Sequence, residues 1–198
     1  MNTSFNYIKL PAMKQFFAAA LEILEMALIA IAAVFVVRTF LVQPFLVSGA
    51  SMEPNFSNGD YLVIDEVTYR FREPARGEVI VFRYPGNDSS YYIKRVIGLP
   101  GERVTVKNGA VTVYSGDSRD GFRVPENYLP VGLKTSGDLD ATLKSGDYFV
   151  LGDNRNFSFD SRSWGALPKN EIVGLVRLRL WPINEVKAFE APNYAPAG

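Results

Sequence analysis

Apolar positions along this chain follow two rhythms, and the change between them divides it. From about Phe16 to Val42 the residues are almost all apolar, with charge only at Glu22, Glu25 and Arg38. The uncharged centre, Met26 to Val37, is shorter than the ~20 residues a bilayer-crossing helix uses. A span over Ala18 to Val37 therefore needs Glu22 and Glu25 near one interface and Arg38 near the other, their long side chains reaching outward. Two other readings stand beside a spanning anchor: a core helix of a soluble protein, and a cleaved export signal. Cleavage is disfavoured because no small-x-small site follows promptly; the segment runs on into RTFLVQPFLV. Lys9 and Lys14 precede the span and favour an N-inside orientation, with everything after Arg38 outside.

Beyond residue 41 the pattern shortens into β-branched and aromatic runs separated by Gly, Pro, Asn and Asp. Strands are expected at Phe45–Ser48, Tyr61–Asp65, Glu78–Tyr84, Tyr91–Ile97, Arg103–Val106, Ala110–Tyr114, Tyr148–Leu151 and Ile172–Trp181. VTVKNGAVTV alternates around Asn108-Gly109, a two-residue hairpin signal. Segment 115–146, rich in Gly, Ser and Asp, reads as loops or a small excursion, and the tail APNYAPAG as disordered. Strands without intervening helices imply a mainly β, antiparallel domain after the helix. The expected division is an N-terminal stretch at 1–17, an anchor at 18–40, a β domain at 41–190 with a small β excursion at about 103–146, and a tail at 191–198.

Composition then narrows the chemistry. The 198 residues contain no Cys and no His. That removes thiolate nucleophiles, imidazole or thiolate zinc sites, and any Ser-His-Asp base. An acid–base catalyst here must use Asp, Glu, Lys or Tyr. With 21 basic and 21 acidic residues the chain lacks the basic excess that a nucleic-acid partner requires. No metal and no cofactor are expected.

Three segments carry candidate chemistry. In VSGASMEPNF, residues 47–56, a serine sits in a Gly- and Pro-bounded turn after a strand, where free N–H groups can face an oxyanion. Taken alone, such a string reads as an ordinary turn. In YYIKRVIGLPGERV, residues 91–104, Lys94 lies within a β-forming run. Tyr92 and Lys94 then share one face, Ile93 and Arg95 the other. Facing inward, Lys94 loses solvation and its pKa falls; facing outward, it is a surface lysine blunting an edge. GDNRNFSFDSRSWG, residues 152–165, packs hydroxyls, charges and an amide into one loop, where Asp160 can pair with Arg162 and Asp153 with Arg155.

Together, SGASMEP, GDYLVIDE, YYIKRVIGLPGE and GDNRNFSFDSR, in that order behind RTFLVQPF, resemble the bacterial type I signal peptidases over about residues 20–182. The resemblance implies a membrane-bound serine endopeptidase with an extracytoplasmic β catalytic domain, which removes signal peptides from exported preproteins beside the lipid bilayer. It implies Ser51 as nucleophile, Lys94 as general base, and Ser158 as the hydroxyl orienting the lysine amine. It pairs Asp160 with Arg162 and Asp153 with Arg95. The oxyanion hole uses the Ser51 N–H; some members add a serine side chain two positions earlier, where this chain has Gly49. Asn55 replaces the usual Thr, with no effect on the chemistry expected. Val47, Met52, Phe56, Tyr92 and Ile93 match shallow pockets for the small residues of an Ala-x-Ala end, the substrate lying extended as an added strand. Arg38, Phe40 and Phe45 are expected to dip into the membrane interface.

Rival readings are a self-cleaving Ser–Lys repressor-like protein, an inactive membrane-tethered scaffold, and a Ser-x-x-Lys acyl-transferase. The first would need a DNA-binding domain in place of the apolar helix. The second would tolerate loss of Ser51 or Lys94. The third needs a lysine where Pro54 stands.

Overall fold

The computed structural model describes residues 10–40, 42–116, 120–192 and 194. It divides into two compact units, an N-terminal unit ending at Leu41 and a second beginning at Val42. Helix α1 (Leu10–Phe40) forms the first. No glycine or proline interrupts it after Pro11, and its Ala, Leu, Ile and Met residues favour helix. Within it, Met13–Val34 is long and apolar enough to cross a membrane, and its side chains are exposed throughout. Glu22 and Glu25 lie within this stretch. Lys9 and the side chains of Arg38 and Phe40 lie outside the described residues.

The second unit is built on antiparallel sheet. Its strands are β1 (Val42–Leu46), β2 (Tyr61–Asp65), β3 (Val79–Tyr84), β4 (Asn87–Gly98), β5 (Glu102–Lys107) and β6 (Ala110–Ser115). These are followed by β7 (Phe122–Arg123), β8 (Leu139–Thr142), β9 (Asp147–Leu151), β10 (Leu167–Pro168), β11 (Ile172–Trp181) and β12 (Lys187–Ala188). The main sheet runs β1-β2-β11-β3-β4-β9-β10, with β12 on β11; a smaller one runs β7-β6-β5-β8. The smaller sheet is the expected excursion. Its β5–β6 turn places Asn108 and Gly109 at φ 53° and 80°, the left-handed geometry of a two-residue hairpin. A one-turn helix, α2 (Ser161–Trp164), follows the 152–160 loop, capped by the Asp160 side chain.

Every expected strand forms, with ends moved by a few residues. β4 begins four residues early, at Asn87, and β1 ends at Leu46 rather than Ser48 because residues 47–60 close into a separate turn. The four strands not anticipated, β7, β8, β10 and β12, have two to four residues each. That is too short for alternation to register.

Three clusters of buried side chains hold the unit together. One joins the two sheets through Ile97, Val104, Val106, Val111, Phe149 and Leu151. The other two cover opposite faces of β3. Val79 and Val81 pack with Val47, Met52, Phe56, Leu62 and Ile64 on one side. Ile80 and Phe82 pack with Val96, Tyr148, Val150 and Leu167 on the other. Burial on both faces explains why VIVF reads as a continuous apolar run instead of alternating.

Near the C-terminus, Tyr194 packs against the first cluster, and its ring and Pro192 fill the space beside Gly77 that a Cβ would need. A large amphipathic ring gains burial there. Residues 193 and 195–198 lie outside the described residues.

Phe149 is 1% exposed in the cluster joining the sheets. Phe149→Ala should lower the unfolding free energy by about 3–5 kcal/mol, read as a reduced denaturant midpoint for the protein in detergent.

Candidate active site

The turn after β1 presents Ser51 through local constraints. Val47 N donates to Asp60 O at 2.9 Å and Gly59 N to Val47 O at 2.9 Å, closing the base of the loop. Met52 and Phe56 anchor it from below, 1% and 0% exposed. Phe56 N donates to Met52 O, and the Phe56 ring packs on Phe189. Gly49 adopts φ 96°, a backbone conformation a serine would enter only with strain, and its N–H donates to Asn58 Oδ1 at 2.9 Å. Gly49 therefore has neither a side chain nor a free N–H to offer. The Ser51 N–H has no hydrogen-bond partner among the described residues.

Lys94 reaches Ser51 from β4. It lies opposite Ile80 of β3 and is 3% exposed. Its Nζ donates to Ser51 Oγ at 2.6 Å and to Ile93 O at 2.8 Å, and lies 5.6 Å from the centre of the Tyr92 ring. Burial pulls its pKa down to about 8, against the opposing influence of the Asp160 and Asp153 carboxylates. The ammonium therefore becomes a neutral amine, able to accept a proton, at mildly alkaline pH.

The loop after β9 locks this pair in place. Asn154 N donates to Ser51 O at 3.1 Å, and Asn154 Nδ2 to Ala50 O at 3.0 Å. At Gly152 any Cβ would collide with Ser51 O and Ser158 Oγ, so the close approach of the two loops requires glycine. Asp160 accepts from Arg162 Nε and Nη2, each at 2.8 Å, and from Gly152 N at 3.0 Å. Burial pushes the Asp160 carboxyl up, but Arg162 and these bonds outweigh it and hold the group ionised.

Beside Lys94, Arg95 forms a two-pronged pair with Asp153 at 2.8 and 2.6 Å, donates to Gly77 O at 2.8 Å, and stacks 4.0 Å from the Tyr128 ring. Both ion pairs that the family resemblance implies are therefore present. The alternative pairing of Asp153 with Arg155 is not. Arg155, 1% exposed, turns instead to Glu126, Thr135 Oγ1 and the Tyr128 hydroxyl. Asn55 is more than a turn residue. Its Nδ2 donates to Asp153 Oδ2 and to Tyr128 O, both at 2.9 Å, tying the serine turn to the Arg95 pair.

Ser158 differs from expectation. Its Oγ is buried without a hydrogen-bond partner, and the second contact of the Lys94 amine is Ile93 O. The hydroxyl lies close enough to Asp160 to help keep that carboxylate ionised.

A cleft of about 320 Å³ runs along the pair, lined by Phe45–Ser51, Tyr91–Lys94, Leu62, Val81, Phe157 and Phe159. Val47, Tyr92 and Ile93 line it as expected. Met52 and Phe56 do not, a correction with a plain cause: both side chains point under the turn into the core. Phe45 also lines the cleft and meets Tyr91 at 5.7 Å between ring centres. Phe157 and Phe159 were not anticipated, although two phenylalanines flanking a serine in an otherwise polar loop were visible in NFSFD.

Comparison with known proteins adds an independent line. A family model described as signal peptidase, peptidase S26, matches residues 20–181. A probable signal peptidase I-2 of Synechocystis is 37% identical over 147 residues, which cover 71% of this chain and 63% of that protein. Signal peptidase I of Leptolyngbya laminosa is 34% identical over 156 residues, 74% of this chain and 72% of the relative. Signal peptidase IB of Staphylococcus aureus strain COL is 33% identical over 152 residues, 71% and 78% of the two chains.

The geometry makes Lys94 a lysine apart. In an NMR titration of lysine-labelled protein its side-chain nitrogen should lose its proton near pH 8; a midpoint at the usual solvated value, about 10.4, would show an amine in water.

Proposed function

The chain belongs to the signal peptidase family, peptidase S26, and we propose that it cleaves N-terminal signal peptides from preproteins by acylation of Ser51 with Lys94 as the base. One observation carries this reading: the buried Lys94 amine lies 2.6 Å from Ser51 Oγ on the wall of an apolar cleft.

In the proposed reaction, neutral Lys94 takes the Ser51 hydroxyl proton as Oγ bonds to the scissile carbonyl carbon. Negative charge gathers on the carbonyl oxygen, toward which the free Ser51 N–H is offered. The intermediate collapses by breaking the C–N bond, and the ammonium of Lys94 returns its proton to the leaving amine. Water, deprotonated in turn by Lys94, attacks the acyl carbon; the bond from that carbon to Ser51 Oγ breaks, and the Lys94 ammonium returns the proton to Oγ. Asp153 and Asp160 are assigned positioning roles through Arg95 and Arg162. Ser158 is assigned support through Asp160 rather than a bond to the amine. No cofactor or metal enters the scheme.

The substrate is proposed to bind extended. β9 pairs with β4 only from Arg95 onward, so the edge of β4 at Tyr91–Lys94 is unpaired among the described residues and faces the cleft. A chain added there gains backbone hydrogen bonds, while Val47, Ile93 and Phe45 leave room for small side chains. We assign α1 as a single-pass anchor with its N-terminus inside, on the basis of Lys14 and Lys9. Residues 41–190 then form the catalytic domain outside, where cleavage sites emerge. A nucleic-acid partner has no place in this reading.

Ser51→Ala and Lys94→Ala should each lower cleavage of a preprotein bearing an Ala-x-Ala site by on the order of 10,000-fold or more, with far-ultraviolet circular dichroism unchanged. Turnover retained by either variant would sink the dyad. Because the neutral amine is the active form and burial lowers its pKa to about 8, kcat/KM should rise about tenfold per pH unit below that value and level off above it. A flat profile from pH 6 to 9 would exclude a lysine base.

A further inference from the structure

The loop after β9 carries two phenylalanines that the dyad does not use. Phe157 and Phe159 flank Ser158, are 80% and 50% exposed, and line the cleft. Leaving apolar rings in water forgoes burial that would favour the fold, yet the loop holds them there. Phe157 N donates to Asn154 O at 3.1 Å, and Asn154 is itself bonded to the serine turn. Phe159 meets Tyr84 edge-on at 5.7 Å between ring centres, and Tyr84 stacks on Tyr92 at 5.0 Å.

The Tyr84 contact fixes which side of the cleft the Phe159 ring occupies, and Phe157, two positions earlier in the same loop, lines the same cleft. The β3–β4 register pairs Ile80 with Lys94, Val81 with Ile93 and Phe82 with Tyr92. Ile80, Phe82, Tyr92 and Lys94 therefore share one face of the sheet. Val81 and Ile93 share the other, packed with Phe45 and Val47. Tyr84 and Phe159 join the Tyr92 face through their stacking. A substrate strand laid along β4 alternates in the same way. If its two small residues face Val47 and Ile93, the residue between them faces Tyr92, Phe157 and Phe159.

We infer that Phe157 and Phe159 form an aromatic lip that reads this intermediate residue, favouring a large apolar side chain in an Ala-x-Ala end. The inference rests on the peptidase reading above, because it assumes a strand bound beside Ser51 and Lys94. An apolar side chain at x covers ring surface that is otherwise wet; a serine covers less, and an aspartate must shed water against carbon. Specificity then comes from contact area rather than from a polar partner.

The test uses the full-length protein in detergent and three preproteins differing only at x: leucine, serine and aspartate. For the wild-type protein, kcat/KM with leucine should exceed that with serine by about 5- to 10-fold, with aspartate lower still. In the Phe157→Ser/Phe159→Ser double variant the leucine and serine substrates should come within about twofold of each other. Phe157→Ser alone, altering a ring outside the core, should narrow the gap and guards against a folding defect in the double variant. Equal kcat/KM for all three substrates in the wild type, or a preference undiminished in the variants, would overturn the lip. Failure of the wild type to cleave any of the three would instead overturn the peptidase reading.

Discussion

The structure is organised around taking one ammonium out of water without losing the fold. A lysine buried among Ile80, Tyr92 and the serine turn pays a desolvation penalty that only nearby negative charge can moderate. Asp160 and Asp153 supply that charge, and neither touches the amine. Each is instead saturated by an arginine, Arg162 or Arg95, so its influence on Lys94 is present but attenuated. A carboxylate in direct contact would hold the lysine protonated through the neutral range. With no carboxylate nearby, burial would push the amine's pKa lower still. The intermediate placement leaves an amine that loses its proton in mildly alkaline solution.

Those arginine pairs also explain the roles of residues far from the serine. Arg95 is held by Gly77 O, by Asp153 and by the Tyr128 ring, which brings the loop between β7 and β8 against the site. Asn55 closes the circuit, binding Asp153 and Tyr128 O from the serine turn. Breaking a buried pair by removing one partner leaves an uncompensated charge and typically destabilises by about 3–5 kcal/mol. The network thus fixes the relative positions of Ser51 and Lys94 by penalising any rearrangement that separates its members.

Much of this was legible in the residues before the fold was known. Short β-branched and aromatic runs between turn residues marked every strand of five residues or more, and the absence of histidine left lysine as a natural base for Ser51. What was not legible depends on direction in space. Met52 and Phe56 have the composition of pocket residues, but the turn closed by Val47 and Asp60 points them into the core. Arg155 and Asp153 sit two positions apart in one loop, yet each finds its partner in another part of the chain, Glu126 and Arg95. Tyr194 looks like part of a short tail rich in Ala and Pro, yet its ring fills the space beside Gly77.

The unpaired stretch of β4 carries a last consequence. An open sheet edge ordinarily invites the edge of any other sheet, and proteins guard against that. Here the guard is the opposite wall, residues 45–51, with Phe157 and Phe159 along the rim. What remains beside that edge is a cleft of about 320 Å³. On the proposed strand-addition reading, a segment already paired within a sheet of its own would have to leave it before joining this edge. Such an edge favours chains caught before they fold.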